Sequence, residues 1–85
     1  MFSVKFSSDS LRFLKKAEKE TVGRILERID KLRVEPFPSD VKRVVGKKDK
    51  IFRVRVGNYR IQYIVIYQEN LILITDIDKR ERAYD

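Results

Sequence analysis

Eighty-five residues, 42% hydrophobic and 39% charged, suit one small globular domain spanning 1–85 and leave no room for a second. The chain has no Cys and no His, which removes disulfides, thiolate nucleophiles and the commonest metal ligand and general base, so neither a metal nor a small-molecule cofactor is expected. The net charge of +7 points to a polyanionic partner, either nucleic acid or an acidic protein.

The charge excess is local. Residues 41–60 carry Lys42, Arg43, Lys47, Lys48, Lys50, Arg53, Arg55 and Arg60 against Asp49 alone, a net +7 that equals the charge of the whole chain. The remainder balances to zero, as a solvated surface does. High charge with few Gln, Asn and Met also fits a thermophile's composition. The longest apolar runs, "YIVIY" and "LILI", are far too short to span a bilayer. No charged-then-apolar leader opens the chain, so the expectation is a cytoplasmic location without membrane attachment.

In chain order, "MFSVKF" alternates as a short strand with Phe2, Val4 and Phe6 on one face. Ser7 or Ser8 then offers a helix N-cap, and Leu11, Leu14 and Ala17 follow at helical spacing. A second helix carries Val22, Ile25, Leu26, Ile29 and Leu32 on one stripe. Pro36 and Pro38 close it, because proline cannot continue a helix. A short strand is expected at 41–45, followed by strands in "IFRVRV", "YRIQYIVIYQ" and "LILITDID", all rich in β-branched and aromatic residues. The order β-α-α-β-β-β-β predicts an α+β fold: an antiparallel-dominated sheet with both helices packed on one face. The apolar stripes are assigned to the core, together with Tyr63 and Tyr67.

The hairpin "FRVRVGNYRIQY" poses a problem. Gly57-Asn58 is a two-residue connector of the kind used in type I′ or II′ turns. With that loop, Val56 faces Tyr59, Arg55 faces Arg60, Val54 faces Ile61, Arg53 faces Gln62 and Phe52 faces Tyr63. Alternation then sorts the apolar members to one face and Arg53, Arg55, Arg60 and Gln62 to the other. Like charges directly opposite destabilise a strand pair, and this face is expected to hold no carboxylate. A solvated polar face is the ordinary reading of arginines on strands. An all-cationic cluster that breaks a local rule without structural gain favours an anion site instead, and guanidinium presents a planar fork matched to phosphate.

"RVRVGNYRIQY", followed by an apolar strand and the tail "DKRERAYD", resembles the RelE toxins of bacterial and archaeal toxin–antitoxin pairs. The tail ending Arg-Glu-Arg-Ala-Tyr is most similar to the archaeal RelE branch. The resemblance implies a metal-independent, ribosome-dependent endoribonuclease that cuts mRNA in the decoding site. It also implies a cognate antitoxin, expected to be small, acidic and helical, that wraps around the toxin. On this resemblance the catalytic positions are Arg53, Arg55, Arg60, Arg80 and Tyr84. Arg43, Lys47, Lys48, Lys50 and Arg82 would hold RNA phosphates without reading sequence. Well-known bacterial members carry lysines where this chain has Arg53 and Arg55, and they space the tail Arg and Tyr further apart.

Metal-free RNA cleavage needs a base for the 2′-OH, charge stabilisation at the phosphoryl oxygens and a proton for the leaving 5′-oxygen. Arg53 and Arg60 suit the second task, Arg80 the third, and Tyr84 suits orienting the 2′-OH or stacking on a base. No residue stands out as the base, since Tyr and Arg both stay protonated near neutral pH; Glu81 is a carboxylate in the tail, but sequence adjacency does not place it. Two rival readings share the fold: a ParE-like gyrase inhibitor, and a non-catalytic RNA-binding module or decayed toxin.

Overall fold

A computed structural model describes residues 1–44, 46, 48 and 50–79. Strand β1 (Ser3–Phe6) leads into helix α1 (Ser8–Lys16) and then α2 (Lys19–Val34). Four strands complete the chain: β2 (Lys42–Arg43), β3 (Phe52–Val56), β4 (Tyr59–Ile66) and β5 (Leu71–Lys79). They form one mixed sheet in the order β1-β5-β4-β3-β2, in which β1 runs parallel to β5 and every other pair is antiparallel.

Ser7 is the cap that starts α1: its Oγ accepts from the Ser10 amide at 3.1 Å and donates to the Thr75 carbonyl at 2.8 Å. One hydroxyl thus satisfies a helix end and pins it to β5. Asp9 in the first turn and Lys15 and Lys16 in the last complement the helix dipole. At the end of α2, the Phe2 amide donates to the Arg33 carbonyl at 3.0 Å, so the leading segment covers an otherwise orphaned acceptor.

Ile25, Ile29 and Leu32 of α2 pack against Val54, Ile61, Tyr63, Ile72, Ile74 and Ile77 of the sheet, with Phe13 and Leu14 of α1 alongside. Both helices therefore cover the same sheet face, as the alternation predicts. Three of the expected core residues are exposed instead. Leu11 and Leu26 are 47% and 42% exposed, because Ser10, Phe13 and Leu14 take the inward positions of α1 and Ile25 takes that of α2, one 100° step from Leu26. Tyr67 is 64% exposed: β4 stops at Ile66, and a 3-10 turn at Tyr67–Glu69 ends the strand alternation that would have carried Tyr67 inward.

Strand β2 is shorter than the expected 41–45, of which Val45 lies outside the described residues. It is an edge strand with β3 as its neighbour, and Gly46, with φ +89°, leaves the extended path that pairing requires. The β3–β4 hairpin has the expected register at all five pairs. Its turn has positive φ at Gly57 (+57°) but not at Asn58, which selects type II′ from the two alternatives.

Candidate functional site

The open face of the sheet is built in rungs. One rung reads Lys42, Arg53, Gln62, Asp76 across β2, β3, β4 and β5; the next reads Arg55, Arg60, Asp78. Cations occupy the β2–β3 side and carboxylates the β5 side. Arg53, Arg55 and Arg60 share this face, away from the helices, as the hairpin arithmetic requires.

The carboxylates overturn the expectation of a face without them. Arg60 forks onto Asp78, with Nε 3.1 Å from Oδ1 and Nη2 3.3 Å from Oδ2. The pair is partly sheltered, the side chains being 21% and 37% exposed. Arg55 and Arg60 can stand opposite each other because a third strand offsets the repulsion. Among the described residues, neither Arg53 nor Arg55 forms an ion pair.

A β-bulge delivers those carboxylates. Tyr63 pairs with Ile74, but Gln62 pairs with Asp76, so Thr75 is the extra residue on β5. Ile72 and Ile74 are buried in the core, and strict alternation from them would bury Asp76 and Asp78 as well. The inserted residue resets the phase: Ile77 enters the core and both aspartates turn outward. Two hydrogen bonds hold the bulge, from Ser7 Oγ to the Thr75 carbonyl at 2.8 Å and from Thr75 Oγ1 to the Gln62 carbonyl at 3.2 Å.

The two aspartates differ in environment. Asp78 is engaged by the Arg60 fork. Burial pushes the Asp76 carboxyl above the usual carboxylate range, and the nearby charge of Asp78, and to a lesser degree Asp9, adds to that. The Ile77 amide and Arg60 oppose the rise without cancelling it.

The other sequence-predicted residues divide. Lys42 joins the Arg53 rung, whereas Arg43 pairs with Phe52 and so falls on the other side of the strand. Lys48 and Lys50 are exposed in the β2–β3 connection. Lys47, Arg80, Glu81, Arg82 and Tyr84 lie outside the described residues. An open groove of about 410 Å³ runs along Asp40, Lys42, Arg53 and Arg55 at the β2–β3 edge. Among the described residues, no three carboxylates gather to hold a metal ion. Lys42, Asp76 and Asp78 are the members that reasoning from sequence left out of the site; the alternating "TDID" hinted at outward aspartates, but only relative to a phase that the bulge alters.

A two-helix layer on one face of such a sheet, with a cationic rung ladder on the other, defines a class that comparison makes definite. A family model described as "ParE toxin of type II toxin-antitoxin system, parDE" matches residues 2–84. A Methanocaldococcus jannaschii protein described as toxin RelE1 is 35% identical over 86 aligned residues, covering 98% of this chain and 94% of that one. The archaeal RelE–RelB complex from Pyrococcus horikoshii OT3 contains a chain 32% identical, with a TM-score of 0.81 over 96% of this chain and 98% of that one. The isolated Escherichia coli RelE toxin, at 16% identity, shares the fold with a TM-score of 0.82, over 99% of this chain and 89% of that one. The chain belongs to the ParE/RelE family of toxins of type II toxin–antitoxin systems.

Proposed function

We propose that the protein is a ribosome-dependent endoribonuclease that cuts mRNA by attack of a 2′-OH on the adjacent phosphorus, and that a cognate antitoxin neutralises it. The observation that carries this reading is the ladder of Lys42, Arg53, Arg55 and Arg60 on one open sheet face. Arg53 and Arg55 are the guanidiniums best placed to receive phosphoryl charge, since Arg60 is already engaged by Asp78. In this scheme Arg80 protonates or hydrogen-bonds the leaving 5′-oxygen and Tyr84 orients the 2′-OH or stacks on a base. Lys48, Lys50 and, from the tail and the β2–β3 connection, Arg82 and Lys47 hold phosphates; Arg43, on the opposite side of β2 from the ladder, is not assigned to this surface. The Pyrococcus relative is in complex with RelB, which supports a cognate antitoxin for this chain; in this scheme that antitoxin covers the cationic face. The site works in the cytoplasm, where ribosomes are.

Gyrase inhibition is the second reading, favoured by the family model's ParE description. Primer extension on translating ribosomes separates the two. The expected result is discrete codon-linked cuts. Arg53→Ala, Arg55→Ala, Arg80→Ala and Tyr84→Ala should each lower the rate on saturated ribosomes, by about 10²–10³ where a preorganised donor is lost. Lys48→Ala and Lys50→Ala should instead weaken binding modestly, by an amount that shrinks at high salt. Gyrase-dependent DNA damage without mRNA cuts would replace the first reading by the second.

A further inference from the structure

We propose that Asp76 is the general base of this site, its carboxylate taking the 2′-OH proton while the neighbouring guanidiniums receive the phosphate; this rests on the RNA-cleavage reading above.

Four observations lead there. The bulge at Thr75 turns Asp76 onto the arginine face, in the same rung as Gln62 and Arg53. The Cα positions of Asp76 and Arg53 are two strand spacings apart, about 10 Å. A ribose-phosphate lying across Gln62 would therefore present its 2′-OH to Asp76 and its phosphoryl oxygens to Arg53 and Arg55. Second, the two aspartates have divided their roles. Asp78 has both oxygens engaged by Arg60. Asp76 accepts no side-chain hydrogen bond among the described residues, so it keeps lone pairs for a substrate proton. Third, its surroundings raise its basicity: burial raises its proton affinity most, and Asp78 on its own strand and Asp9 at the start of α1 add to that. Arg60 on β4 lowers it, Lys5 on β1 stands on the same face beside Leu73, and Asp9 is itself paired with Arg12 at 2.9 Å. A carboxylate whose proton affinity is raised is a stronger base. Fourth, a half-buried carboxylate beside a second one is costly, and asparagine would fit the same space without that cost. A local rule broken without structural gain is the mark of a working residue.

The step balances. The 2′-OH proton goes to Asp76 as the 2′-oxygen bonds to phosphorus, the P–O5′ bond breaks, and the 5′-oxygen takes a proton from solvent. The products are a 2′,3′-cyclic phosphate and a 5′-OH, and Asp76 returns its proton to water.

The test is single-turnover cleavage on saturating translating ribosomes from pH 5 to 9, with wild type, Asp76→Asn, Asp76→Glu and Asp78→Asn, alongside ribosome-binding and melting curves. Wild type should lose rate as pH falls, because the base must be deprotonated. Asp76→Asn should cleave roughly 10²–10⁴-fold more slowly, lose that acid limb, bind ribosomes as wild type does and melt no lower at neutral pH. Asp76→Glu should restore part of the rate and the limb. An Asp76→Asn protein that cleaves at the wild-type rate with the wild-type pH profile overturns the assignment and leaves the nuclease reading standing. The assignment is likewise overturned if the acid limb moves to Asp78→Asn. A wild type that cuts no RNA on ribosomes sinks the nuclease reading itself, and the assignment with it.

Discussion

Replacing Tyr63 by Phe removes one oxygen and leaves the ring in place. Tyr63 is fully buried on β4, beside the bulge, and its hydroxyl donates to the carbonyl of Pro36 at 2.7 Å. Pro36 is buried too, so no bulk water stands ready to replace the lost donor. The bond ties the segment after α2, where the chain turns toward β2, to the middle of the sheet. Losing the donor forfeits one hydrogen bond and strands a buried acceptor, which together cost about 2 kcal/mol. For a domain of this size that lowers the melting temperature by roughly 8–16 °C. Urea denaturation at pH 7 should show a lower midpoint with an unchanged slope, because the surface exposed on unfolding is the same. Alkaline pH supplies a second readout. Burial raises the Tyr63 hydroxyl well above its ordinary value of 10.0, so the folded protein keeps the proton after the unfolded chain has lost it. That contribution is present below pH 10 and is lost as pH rises toward the folded value, a slope that Tyr63→Phe should lack. A Tyr63→Phe protein with the wild-type midpoint and the wild-type alkaline slope would show that the hydroxyl anchors nothing.

Nη2 of Arg28 reaches both carboxylate oxygens of Asp40, each at 2.7 Å, and that hydrogen bonding holds the Asp40 carboxyl below its usual range against a smaller opposing effect of burial. The resulting stability is present above the unfolded value of 3.8 and is lost as pH falls through the folded one. Because Asp40 is largely exposed, Asp40→Asn should cost only about 0.5–1 kcal/mol at pH 7, and its stability curve should converge with wild type at the acid end. Gly57 has φ +57°, and a Cβ there would lie 2.8 Å from Nη2 of Arg24. Gly57→Ala should cost about 1–2 kcal/mol in urea denaturation from the backbone alone. Adding Arg24→Ala should recover little of it, because the guanidinium end can move aside; full recovery would make the contact, not φ, the cause.

Much of this architecture is legible in local pattern. The stripe Ile25, Ile29 and Leu32 marks α2, and the prolines at 36 and 38 mark its end. The alternation about Gly57-Asn58 yields the hairpin register pair by pair, because a two-residue loop leaves one way to align the strands. The convergence of Arg53, Arg55 and Arg60 follows from that register alone. What strand alternation does not carry is which chain lies beside which. The sheet order puts β5 next to β4, and the neighbour's contribution then depends on a single extra residue at Thr75. That residue is set by Ser7 at the start of α1, 68 positions away in sequence. Read without it, "ITDID" sends two carboxylates into an apolar core; folded, it sends them to the arginines. Sequence alone thus determined the helices, the hairpin and the cationic half of the face. The acidic half, and with it the Arg60–Asp78 pair and the place of Asp76, was decided by tertiary packing, because one bulge inverts which side of a strand every later residue faces.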